Sequence, residues 1–441
     1  MSRFASRTRS PLVLFACLAV LVGIAGCSPQ ASSAAPAPAE RPSQAAGPSS
    51  AAAAPESSSD AALRLEALLG QHALLAADMM RGRLRNDEDF AQAANAAVGQ
   101  NADDLAQLVG ALLGDQQAAR FKGVWADHVA ALFNYARGVA TEDTAVREEA
   151  RVKLVGLEGD IADFFSQASQ GRLDPGAART AIRVHVDHLT QQADEYAAGD
   201  YAGANTAYRQ GYQHTFELGH TLASTLLPPD KSAELNTSSW RLRSELTRLL
   251  GEHVGLALST LRAGATKNPD FQAALTALNG NTNDVTAAVA SLFGGPAASQ
   301  FMSLWADHLD LLGTYAVDVG ANKPNRRDAV QGELRDWQQR FAKFIDTATE
   351  GRVPAPDLAA ALLGLDDLLL RQVDAFAAKD YRQAQQLSNQ TYPQVFGLAK
   401  NMADAFGATV AARMPRGGAE TGGGGTAGAA DRGPAPLEPA G

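Results

Sequence analysis

The residues of this 441-residue chain with the most chemistry within reach are its eight histidines. A neutral imidazole is the commonest protein ligand for a transition metal and suits zinc, copper, iron or nickel. His72, His128, His185 and His214 each fall on the apolar stripe of a different expected helix. Inward imidazoles from several helices are an established way to build a site in a bundle core. These four are the candidate metal ligands, with copper or zinc as the ion. Met79 and Met80, one to two turns beyond His72, would add a soft thioether for a cuprous ion. Taken singly, each histidine also reads as a hydrogen-bonded core residue, and His128, beside Asp127 and near Trp125, is the plainest case.

Other chemistries find less support. There is no His-Glu-x-x-His, no EF-hand loop, no Gly-x-Ser-x-Gly elbow and no Gly-rich loop after a strand. Two cysteines exclude a disulfide scaffold and a multi-cysteine zinc module. A net charge of −10 argues against nucleic acid, whose phosphates need a basic surface. No catalytic residue and no organic cofactor is expected.

The elements that would position the histidines are helices. Leu65, Leu68, His72, Leu75 and Met79 step by three and four, as do Phe121, Trp125, His128, Leu132 and Tyr135. Ile182, His185, Leu189, Gln192 and Tyr196 form a third stripe. Alternating strand patterns are nearly absent. Gly199-Asp200-Tyr201 reads as the end of one helix and the cap of the next, and Asn101-Ala102-Asp103-Asp104 as another N-cap.

One unit occurs twice. Trp125-Ala126-Asp127-His128 returns as Trp305-Ala306-Asp307-His308, and Leu69-Gly70-Gln71-His72 as Leu250-Gly251-Glu252-His253. Tyr135 pairs with Tyr315, Gln192 with Gln372, Asp194 with Asp374 and Tyr212 with Tyr392, in order and with one residue of slippage. This predicts an all-α protein of two tandem helical-bundle domains, 61–227 and 240–407, of five or six helices each, joined by a linker at 228–239. The second copy keeps His253 and His308 but has Leu365 for His185 and Gln394 for His214. That pattern points to a pair of structural histidines in both copies and a fuller site in the first.

The ends set the compartment. Arg3, Arg7 and Arg9 precede an apolar stretch from Pro11 to Ile24, too short for a comfortable span and suited to a signal sequence over residues 1–26. It closes on Ile24-Ala25-Gly26-Cys27, which resembles the bacterial lipobox, whose cysteine is acylated and becomes the mature N-terminus. Lipid on Cys27 and loss of Cys17 with the signal would leave no free thiol. Residues 27–60 are rich in Ala, Pro and Ser and read as a disordered tether, and 408–441 as a disordered Gly/Ala/Pro tail.

Leu69-Gly70-Gln71-His72, Asn101 with Asp104, Phe121, Trp125 and His128 at their spacing, and Asp200-Tyr201 together resemble a helical repeat of secreted bacterial proteins. Some of those proteins also carry a domain named for the copper amine oxidase N-terminus. The resemblance implies an exported helical protein and carries no amine oxidase activity to this chain. The expectation is therefore a non-enzymatic protein held on the extracytoplasmic side of a bacterial membrane by a lipid anchor, binding an envelope protein or small ligand. The alternative is a copper- or zinc-binding protein.

Overall fold

The computed structural model describes residues 57–413, and all of its regular structure is helical. Cys27, the signal, most of the tether and the tail from residue 414 lie outside the described residues. Thirteen α-helices are present among the described residues. The first array is α1 (Ser58–Leu84), α2 (Glu88–Leu113), α3 (Asp115–Ala140), α4 (Thr144–Ala168), α5 (Pro175–Ala197) and α6 (Tyr201–Leu226). After the short α7 (Pro229–Ser232) comes a second array: α8 (Ser238–Thr266), α9 (Phe271–Phe293), α10 (Gly295–Gly320), α11 (Pro324–Ala348), α12 (Ala355–Ala377) and α13 (Tyr381–Arg413).

Local chemistry sets most boundaries. Asp87, Asp143, Asp174 and Asp200 cap α2, α4, α5 and α6 by accepting from backbone N–H groups of the first turn. Helices stop at residues in the left-handed region, among them Asn86, Glu142 and Gly199. At the position related to Gly199 the second array carries Lys379, also left-handed at φ 61°, a conformation an L side chain adopts at some cost. Short connections then force neighbouring helices antiparallel. The expected cap at Asn101–Asp104 is not one. These residues lie within α2, where Asn101 is buried and its amide bonds the Leu68 carbonyl of α1, so the polar run bridges two helices instead of starting one.

In each array one helix is central. α1 packs against α2, α3, α5 and α6, and α8 against α9, α10, α12 and α13. The two also pack on each other, α2 meets α13 and α6 meets α9, and one hydrophobic core runs through both arrays. The stretch 228–239 is a packed corner: it holds α7 and a 3₁₀ turn, and Leu235 is fully buried. Helical structure also runs past 407, because Thr409 is buried and bonds the Thr349 carbonyl while Arg413 pairs with Glu350.

Related positions make related contacts. Asp194 accepts from Tyr135 and Arg147, and Asp374 from Tyr315 and Arg327. These two acids therefore brace helices in both arrays.

Glycines on the central helices make room for side chains of α6 and α13. A Cβ on Gly70 would stand 2.7 Å from the Tyr392 hydroxyl and 2.8 Å from Phe216. Gly70→Ala is expected to destabilise the protein by about 1–3 kcal/mol, the usual penalty for overpacking a filled core. Chemical denaturation would show it as a lower midpoint, and an unchanged midpoint would mean that Tyr392 and Phe216 give way freely.

Candidate metal centre

Three of the four expected ligands meet. His72 on α1, His128 on α3 and His185 on α5 place ring centroids 5.4–5.7 Å apart, and one ligand nitrogen from each lies within 4.8 Å of the others. A point among nitrogens so spaced is at most about 2.8 Å from each, against the roughly 2.0–2.1 Å of a zinc–imidazole bond. Ring shifts below about 1 Å would therefore close three bonds on one ion. All three residues are 0–2 % exposed. Trp125 walls the group, its ring 4.8 Å from His72 and 5.3 Å from His128.

The electrostatics favour donors with free lone pairs. Burial holds the His72 and His185 imidazoles well below their usual range, and neighbouring histidines add to the effect. Burial alone lowers His128 to about 4. The rings are neutral near pH 7. Both ring nitrogens of His72, both of His128 and Nε2 of His185 are buried without a hydrogen-bond partner. A buried polar group almost always has one.

The second array supplies the comparison. His253 Nδ1 contacts Asn281 Oδ1 at 3.3 Å, and His308 Nε2 contacts Asp366 Oδ1 at 2.9 Å. Gln338 braces the other oxygen of Asp366, and Trp337 stacks on His308 at 4.0 Å. Leu365 fills the third position with hydrocarbon. Each of these two imidazoles has a protein partner, whereas the His72 and His128 rings have none.

The remaining expectations separate cleanly. His214 does not join the group: its Nε2 bonds the Ala181 carbonyl at 2.9 Å, and its ring neighbour is His188, at 6.2 Å. Met79, seven residues past His72, is about 10 Å further along the helix axis. Met80 accepts from Gln192, so neither thioether reaches the group. Asp127 is exposed and pairs with Lys153, because adjacent helix positions face different ways, and it gives His128 no partner.

A second buried group escaped sequence reasoning. Glu66 on α1 is fully buried, accepts from Ser244 at 2.7 Å and lies 3.9 Å from His220, which packs on Trp240. Gly219 admits it, since a Cβ there would stand 2.9 Å from the Glu66 backbone. The one available signal was a glutamate on the apolar side of α1.

No protein-family model, curated protein or solved structure matches the chain. No helix among the described residues is long and apolar enough to cross a membrane.

Burial raises the Glu66 carboxyl to about 8. A carboxyl whose pKa is higher folded than unfolded keeps its proton only in the native state between the two values, so its contribution to stability falls as pH rises from about 4.5 to 8. Glu66→Gln should lose that slope, gaining on the wild type by up to about 4 kcal/mol between pH 5 and 8. Urea unfolding at several pH values reads the gap, and a constant gap would place the Glu66 proton elsewhere.

Proposed function

We propose that this chain is a lipid-anchored envelope protein whose helical body binds one transition-metal ion through His72, His128 and His185. The supporting observation is the group of buried, neutral imidazoles without protein partners, set against related imidazoles in the second array that are hydrogen-bonded. Leaving a buried polar group unmade costs about 1–3 kcal/mol, and ligation by an ion offsets that cost at several nitrogens together. Lipobox-like Ile24-Ala25-Gly26-Cys27 supports export and acylation at Cys27.

The ion is copper or zinc, which imidazole suits. No carboxylate joins the three histidines in the group. Three neutral donors in a buried core leave the full charge of the ion uncompensated, and the cost of burying charge rises steeply with its size. That balance favours the singly charged cuprous ion over a divalent one. The role is binding, with no catalytic step assigned.

The reading as a body that takes a small ligand or partner has an observation of its own. A cleft of about 640 Å³ opens between α1, α2 and α13, lined by Leu63, Leu68, Gln71, Asn101, Tyr392 and Phe396 among others.

Anaerobic titration of the untagged full chain with cuprous ion against a chromogenic chelator, and calorimetry with zinc, test the metal reading. One ion per chain is expected. His185→Leu, which copies the second array, should abolish binding and leave helix content and melting temperature intact. His253→Ala should leave the stoichiometry at one. Cuprous ion at a hundred times its Kd should add about 2.7 kcal/mol of stability. Absence of copper and zinc binding by the full chain overturns the reading.

A further inference from the structure

We propose that Asn101 is the positioning residue of His72: its Oδ1 accepts the Nδ1–H of that imidazole and so turns Nε2, with its lone pair, toward the ion. The ion belongs to the metal reading above, on which this inference rests. The hydrogen bond stands on separate observations.

Those observations come from comparing the arrays atom by atom. In the second, the Asn281 amide nitrogen bonds the Leu249 carbonyl at 3.0 Å and Glu252 at 2.9 Å. With both donors engaged, its Oδ1 meets Nδ1 of His253, the residue after Glu252. In the first array, the Asn101 amide nitrogen bonds the Leu68 carbonyl at 3.0 Å and Gln71 at 3.2 Å. Its donors are spent on the same two places, and the next residue after Gln71 is His72. Asn101 Oδ1 is buried without a partner, as are both ring nitrogens of His72. An orphaned acceptor and an orphaned donor therefore occupy the positions whose counterparts are in contact. An imidazole turned to bring its Nδ1–H to that oxygen, as in the second array, would satisfy both.

The consequence is chemical. A neutral imidazole carries its proton on one nitrogen and offers its lone pair on the other, and the outer partner decides which. Metal-bound histidines almost always donate their second N–H to such a partner, which fixes the ring and raises its basicity. Asn101 would fill that place for His72 from α2, while α3 and α5 bring the other two ligands. In the second array the related amide of Asn281 holds His253 where Leu365 replaces the third histidine, so there it only anchors a core residue.

Long-range ¹H–¹⁵N spectra of the metal-free full chain, with histidine nitrogens labelled and His72 assigned from a His72→Gln variant, read the tautomer directly. The expected result is Nδ1–H for both His72 and His253. Asn101→Ala should release His72 from that tautomer and weaken cuprous-ion binding 10–100-fold, the usual effect of removing such a partner. Asn101→Asp, which keeps an oxygen acceptor, should restore both. Asn281→Ala should change the His253 tautomer and leave the affinity alone, an outcome that mere loss of core packing would not give. His72 found as Nε2–H in the wild type overturns the proposal even where a variant fails to fold. So does Asn101→Ala with tautomer and affinity unchanged. A wild-type chain that binds no ion, with His72 held as Nδ1–H, overturns the metal reading and leaves the hydrogen bond standing.

Discussion

The close crossing of α1 and α8 is the constraint on which the rest depends. Gly70 and Gly251 leave room beside these helices for the rings of Phe216 and Phe396, and the hydroxyls of Tyr212 and Tyr392, from α6 and α13, meet each other there. Gly255 takes Leu74 and Tyr208 in the same manner. Each helix is also the hub of its own array, so the crossing leaves both buried along most of their length. Several of the polar residues they carry become interior residues. On α1 these include Glu66, Gln71, His72 and Arg81; on α8, Glu252, His253 and Arg262.

Most of these groups are made tolerable by pairing. Arg81 bonds Gln192 and Asn205, and its guanidinium lies over the rings of Tyr196 and Tyr208. Arg262 bonds Asp78 and Ser388 and lies over Phe90 and Phe376. Glu252 takes Arg209 and Asn281. A buried charge without such partners would cost several kcal/mol. Against this background the three imidazoles of the first array stand out: they share the burial of their neighbours and lack the partners. Neutral rings make that state affordable without an ion and ready for one.

The two arrays resolve one interior differently. In the second, Arg209 reaches across to Glu252 and Asp284 and closes the face between α6, α8 and α9. At the related place in the first, Asn389 reaches only Gln71, at 3.4 Å, and an open cleft remains beside Asn101. Leu365 similarly fills with hydrocarbon the place the first array gives to His185, and Trp337 stacks on His308. The second array thus gives each of its two core histidines one protein partner, while the first leaves His72 and His128 with none beside an open cleft.

The all-helical class was legible in the sequence because it follows from a local rule: apolar residues at steps of three and four bury one face, and Asp and Gly mark the ends. The inward placement of His72, His128 and His185 was legible for the same reason, since each sits on such a stripe. His214 sits on one too, yet α6 turns it to the Ala181 carbonyl, because a stripe is broader than a single contact and only packing decides which part faces which neighbour. Asn101 was misread as a cap since a polar run looks alike at a helix start and at a buried bridge. The burial of Glu66, the meeting of Tyr212 with Tyr392 and the continuous core across both arrays were beyond any local rule. They depend on contacts between residues far apart in sequence, such as Tyr212 and Tyr392, 180 positions apart, that only the folded chain brings together.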